Sequence, residues 1–132
     1  MSCLFNSIAH FIRDDMEVRG ITNLRNEICE YISMNRTEKF GDVSIEEWIK
    51  FSNETEAIGK TVDEYLLKMS HDSQMGGGIE LAVASRIFNL IIKVEHNQKI
   101  ISEFNFSQTP VKEITLLYSG NHYDPKTDKI IH

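Results

Sequence analysis

The sequence predicts an α+β fold (α/β in the wider sense), with helices over its first two thirds and strands in its last third. Three observations predict it. Apolar residues recur at spacings of three and four along the early segments, two Ser/Thr-x-x-Glu boxes open two of those segments, and two β-branched apolar runs follow the breaker "MGGG".

In chain order, Leu4, Phe5, Ile8, Phe11 and Ile12 form a helical stripe directly after Cys3, which places that cysteine at or near the N-terminus of a buried helix. A second helix is expected from about Thr22 to Met34, with Leu24, Ile28, Tyr31 and Ile32 on one face and Cys29 beside them, in the core. "SIEEWIKFSN" starts with Ser44 three residues before Glu47, and "TVDEYLLKMS" repeats that spacing with Thr61 and Glu64, so both read as short capped helices. "IELAVASRIFN" is a further helix. "LIIKVEHN" and "EITLLYSG" carry the composition of buried strands, and the second stops at Gly120 to deliver "NHYD" at its end.

The 132 residues hold no repeat, no low-complexity tract and no Pro-rich or Gly-Ser linker, so residues 1–132 are read as one domain. With 41% apolar and 26% charged residues, and no apolar run near the length of a membrane span, the composition is that of a water-soluble globular chain. "MSCLFNSIAHFIRDD" has neither a basic n-region nor a small-residue cleavage site, so the expected location is the cytoplasm, where Cys3 and Cys29 stay free thiols. A formal charge of −6 argues against nucleic acid and for a basic partner. His10, His71, His96 and His132 show no metal-ligand spacing. Glu46, Glu47, Glu54 and Glu56 read as a solvated face, and Trp48 as a core anchor.

A thiol at a helix N-terminus faces unpaired backbone donors, which favour thiolate, so Cys3 is placed to be nucleophilic. Cysteine hydrolysis also needs an imidazole to take the thiol proton and a polar group to orient it. His122 and Asp124 supply that pair: two apart in an extended segment, they point to the same face, while Tyr123 between them points the other way and packs. Any Cys and His can be paired on paper, and a buried structural role is the usual fate of a free cysteine.

Three separated segments sharpen the reading. "SCLFNSIA", "MGGGIELAVAS" and "ITLLYSGNHYD", in that order, together resemble the ovarian tumour (OTU) family of cysteine proteases over nearly the whole chain. The resemblance implies a papain-like OTU fold, a central β-sheet flanked by helices. It implies Cys3 as nucleophile, His122 as base and Asp124 as its orienting residue. Gly76 and Gly77 with Ile79, Glu80 and Leu81 match the family's middle box, and Gly76, Gly77, Gly78 and Asn121 are the expected substrate-binding residues. The implied activity is hydrolysis of isopeptide bonds after the C-terminal glycine of ubiquitin, with ubiquitin or polyubiquitin as partner and a ubiquitin-like modifier as a second substrate class. The implied enzyme is a monomer that uses no metal or cofactor and touches neither nucleic acid nor membrane.

The chain departs from the family pattern in three places. Met75 stands where Trp is usual and Gly78 where an acidic residue is common, and the family's Asp three residues before the nucleophile would precede Met1. That loop lends backbone donors to the oxyanion in the family, so slow turnover is expected of a chain that starts here. Two alternatives stand beside the deubiquitinase: a non-catalytic ubiquitin-binding module of the same fold, and a viral or parasite protease acting on a polyprotein.

Overall fold

Apolar spacing sets the first helix, α1 (Cys3–Arg19), whose buried stripe is Leu4, Phe5, Ile8 and Ile12, in a computed structural model that describes residues 3–52 and 58–127. The helix breaks step at Ile12 (φ −124°, ψ 22°), where the Phe11 carbonyl instead accepts from Lys112 Nζ at 2.6 Å. Asn23 caps the second helix, α2 (Leu24–Met34), by accepting from the Asn26 amide at 3.1 Å, and Ile28, Cys29 and Ile32 turn inward as expected.

Both boxes cap helices. Ser44 Oγ and the Glu47 carboxylate each take the other residue's backbone N–H at 3.2 Å to open α3 (Ile45–Phe51). Thr61 Oγ1 takes the Glu64 N–H at 3.2 Å to open α4 (Val62–Met69). Trp48 packs partly buried against the core, and Glu46 and Glu47 are exposed; Glu54 and Glu56 lie outside the described residues. The last helix, α5 (Gly78–Ile87), is buried over Ile79–Ser85, which suits its all-round apolar sequence.

Two short strands, β1 (Lys39–Phe40) and β2 (Val43–Ser44), form a hairpin before α3 that the apolar patterns do not announce. Arg86 holds it to α5: its guanidinium donates to the Lys39 carbonyl at 2.8 Å and to Glu38 at 3.0 Å, and lies over the Phe40 ring.

The main sheet has the order β4-β3-β5-β6, formed by β3 (Leu90–His96), β4 (Lys99–Phe104), β5 (Lys112–Tyr118) and β6 (Tyr123–Pro125). Its central pair β3–β5 is parallel and the flanking pairs antiparallel. Register sets Ile92 opposite Ile114, Val94 opposite Leu116 and Tyr118 opposite Tyr123, so these side chains and Leu90 share one face. That face meets α1 along β5 and β6, and α5 along β3 and β4. The described sheet is thus flanked by helices, with α1 and α5 packed on this face. The other face carries ion pairs, Lys93 with Glu113 at 3.4 Å and Lys126 with Glu95 at 2.7 Å.

β4 is absent from the sequence expectation because it is an edge strand, exposed at nearly every position and so without alternation. Asn97 and Gln98 join it to β3 with φ of 52° and 65°, the left-handed pair of a tight hairpin turn, in a dipeptide lacking the usual glycine. No described helix is long and apolar enough to cross a membrane.

Candidate active site

Cys3 is the first described residue of α1, half-buried, and the first turn of that helix contains no acidic side chain to oppose the positive end of the dipole. The other thiol is different. Burial, reinforced by the negative charge of Glu80 and opposed by Arg25, pushes Cys29 up to about 11 and keeps it protonated at neutral pH.

The opposite end of the chain forms the second half of the site. β5 and β6 are joined by a tight turn in which the Ser119 amide donates to the His122 carbonyl at 3.0 Å. Gly120 takes φ 94° there, which a side chain would oppose, and exposed Asn121 stands at the turn tip next to His122. His122 Nε2 lies 3.0 Å from Asp124 Oδ1, and both side chains are well exposed, at 50% and 63%. Tyr123 between them is buried, and its ring stacks at 4.8 Å on that of Tyr118. With Nε2 engaged by Asp124, Nδ1 is the nitrogen left to face a thiol.

The two halves are joined by a residue the sequence reading passed over. Ser7 Oγ donates to the Tyr123 carbonyl at 3.1 Å, inside the core. Ser7 follows Cys3 by four positions, so the two share a helix face about one turn of 5.4 Å apart. This bond fixes the Cys3 end of α1 to the strand that holds His122 and Asp124. Among the described residues no hydrogen bond joins Cys3 Sγ to His122. A hydroxyl inside an otherwise apolar stripe, at i+4 from the cysteine, was the available signal for Ser7.

The glycine segment lies on the other side. Gly76 is buried, and a Cβ there would stand 2.6 Å from Leu4 Cδ2 and 3.0 Å from the Phe5 ring, so glycine at 76 is required by the close approach of the residues just after Cys3. Positive φ is not the reason: no residue of the triplet adopts it. The Gly77 amide donates to Glu80 Oε1 at 2.7 Å, and Gly78 begins α5. Together with Met75, Tyr118 and Tyr123, the three glycines line an open slot of about 290 Å³.

Two buried groups, Tyr65 and the Glu80 of the family's middle box, also line this slot. Glu80 is fully buried and takes a short hydrogen bond from the Tyr65 hydroxyl as well as the Gly77 amide. Burial pushes its carboxyl up to about 7, against the pull of both hydrogen bonds and of Arg25. No group of three His, Cys, Asp or Glu side chains among the described residues is placed to hold a metal ion.

Comparison with known proteins gives this arrangement a family. The model of the OTU-like cysteine proteases matches residues 2–126. The ubiquitin thioesterase OTU1 of Drosophila pseudoobscura pseudoobscura is 26% identical over 125 residues, 94% of this chain and 31% of that protein. The human ubiquitin thioesterase OTU1 is 37% identical over 69 residues, 52% of this chain and 20% of that protein. The chain thus spans about a third of the length of the first of these relatives. In fold it resembles the viral OTU domain protease from Dera Ghazi Khan virus, with a TM-score of 0.53 at 16% identity over 93% of this chain and 72% of that one. With the cysteine segment, the glycine segment and the His122 strand all inside the matched span, the chain belongs to the OTU-like cysteine protease family.

Proposed function

We propose that this chain is a deubiquitinase: residues 1–132 act as one catalytic domain that cleaves the isopeptide bond after the C-terminal glycine of ubiquitin, as a monomer in the cytoplasm. The observation that carries the reading is the Ser7–Tyr123 hydrogen bond, which ties the Cys3 end of α1 to the strand bearing the hydrogen-bonded His122 and Asp124. The names of the relatives support ubiquitin as the substrate.

In this reading His122 Nδ1 takes the Cys3 proton, and the thiolate attacks the glycine carbonyl carbon. The tetrahedral intermediate collapses as the C–N bond breaks and the imidazolium gives its proton to the leaving lysine amine. Water, activated by the same imidazole, then hydrolyses the thioester and restores the thiol. Asp124 keeps Nε2 protonated and the ring oriented, and stabilises the imidazolium in between. The slot lined by Gly76, Gly77, Gly78, Tyr118 and Tyr123 suits an extended tail ending in glycines, because the glycine side of the slot carries no side chains. Asn121, at the exposed turn, is placed to meet the substrate on the His122 side. The Cys3 amide would supply a donor for the oxyanion.

A non-catalytic ubiquitin-binding module is the second reading, favoured by the lack of a described hydrogen bond between Cys3 and His122. Such contacts are often long before substrate binds. A ubiquitin probe with a C-terminal electrophile separates the two. The enzyme forms a covalent adduct at Cys3 that is lost in Cys3→Ala, whereas a binder captures the probe reversibly and leaves the thiol free.

A further inference from the structure

Between the slot and the helix that carries Cys3 runs a chain of contacts that no catalytic step uses. Tyr65, from α4, donates to one oxygen of Glu80, and the Gly77 amide donates to the other at 2.7 Å. Gly76 lies so close to Leu4 and Phe5 that even a Cβ would clash. Arg25, from α2, stacks its guanidinium 4.4 Å from the centre of the Phe5 ring and donates to the Met69 carbonyl at 2.8 Å. Glu80 is among the residues that line the slot, but it is fully buried and both of its carboxylate oxygens are taken by the hydrogen bonds from Tyr65 and Gly77.

Burying a carboxyl is costly, and an apolar residue would fill the same volume without that cost. What an apolar residue would not supply is an acceptor for the Gly77 amide. Gly77 has no side chain with which to cap α5, so the reciprocal half of a Ser/Thr box is missing and the acid three residues on is the turn's one side-chain tether among the hydrogen bonds described. We propose that Glu80 is a positioning residue: anchored by Tyr65, it holds the Gly77 amide and so fixes the glycine turn against the slot on one side and against Leu4 and Phe5 on the other. The proposal rests on the reading of the slot as the place where the ubiquitin tail lies.

Glu80→Gln, Glu80→Ala and Tyr65→Phe test it, each assayed below its own melting temperature with two readouts. Exchange of the Gly77 amide proton, followed by NMR, needs no substrate: it stays slow in Glu80→Gln, whose amide oxygen still accepts, and speeds up about tenfold or more in Glu80→Ala. Hydrolysis of a fluorogenic ubiquitin substrate gives the second: Glu80→Ala raises KM about tenfold with kcat changed less than about threefold, and Glu80→Gln recovers most of that loss.

Unchanged Gly77 exchange in Glu80→Ala overturns the proposal, as does a glutamine variant no better than alanine, or a loss confined to kcat. Should Glu80→Ala fail to fold, Tyr65→Phe decides, because it removes one hydroxyl: faster Gly77 exchange and a KM raised about threefold support the tether, and parental values overturn it. If the parent itself hydrolyses no ubiquitin substrate, the deubiquitinase reading fails, and the Gly77 exchange alone judges Glu80.

Discussion

Ser7 and Tyr123, 116 positions apart in the chain, are joined by a hydrogen bond of 3.1 Å inside the core. Their neighbours are the residues proposed to do the chemistry, Cys3 one turn before Ser7 and His122 and Asp124 on either side of Tyr123. The contact therefore acts as a hinge pin between two halves that have no sequence proximity.

Removing it has a defined effect. Ser7→Ala should cost about 1 kcal/mol in urea unfolding, the net worth of one buried hydrogen bond, and lower kcat about tenfold through misplacement of Cys3, with KM little changed. Parental kcat at reduced stability would show that packing alone places the helix end.

Gly76 and Gly77 should respond in opposite ways to the same substitution. Gly76→Ala forces a Cβ to within 2.6 Å of Leu4 Cδ2 and should destabilise by about 1–3 kcal/mol, the usual range for overpacking. Gly77→Ala meets nothing nearer than Glu80 Oε1 at 4.0 Å and should melt within a few degrees of the parent. Thermal unfolding of the two variants checks the contrast, and equal losses would refute it.

Asp124 holds Nε2 of His122, so Asp124→Ala should lower kcat on the order of 100-fold by releasing the ring, with a smaller change in KM. Asp124→Asn keeps an acceptor oxygen and should fall between that variant and the parent. Steady-state kinetics on a ubiquitin substrate measures both, and an alanine variant with parental kcat would assign the orienting role to another residue.

Glu80 makes stability depend on pH. Its carboxyl keeps its proton up to about 7 in the folded chain, whereas a solvated glutamate loses it near 4.5, so between those values the folded state binds the extra proton. The contribution is fully present below about pH 4.5, declines as pH rises, and has gone once pH passes about 7, a change on the order of 3 kcal/mol. Unfolding free energies of the parent, minus those of Glu80→Gln, should fall across that window and level off above it. A flat difference would place the Glu80 titration elsewhere.

How much of this could be read beforehand depended on burial. The five helices and strands β3 and β5 announce themselves because each presents an apolar stripe or run to the core, and Ser44 and Thr61 mark helix starts by local hydrogen bonding. β4 and the β1–β2 hairpin are exposed or too short to show a period, and β6 has three residues, so their pairing is decided by partners distant in sequence. The ion pairs on the sheet's other face were hidden for a similar reason: Lys93, Glu95, Glu113 and Lys126 pair with one another only once the strands are in register. At the site, His122 and Asp124 were visible as an i, i+2 pair. Ser7 was not, and Glu80 was visible only as part of the family's middle box without its bond to Tyr65, since a lone hydroxyl or acid within a helix gives no local hint of a partner on another element.

The separation of Ser7 from Tyr123 has a consequence for birth rather than for turnover. Translation delivers the thiol segment first, and it must wait until β6 has emerged before the two ends can lock together. A parallel β3–β5 pair must also close across the β4 excursion, and such distant pairings make folding slow compared with that of helical bundles of equal size. An unfinished copy thus carries Cys3 without the strand that bears His122 and Asp124, and the two halves can meet only after β6 has emerged.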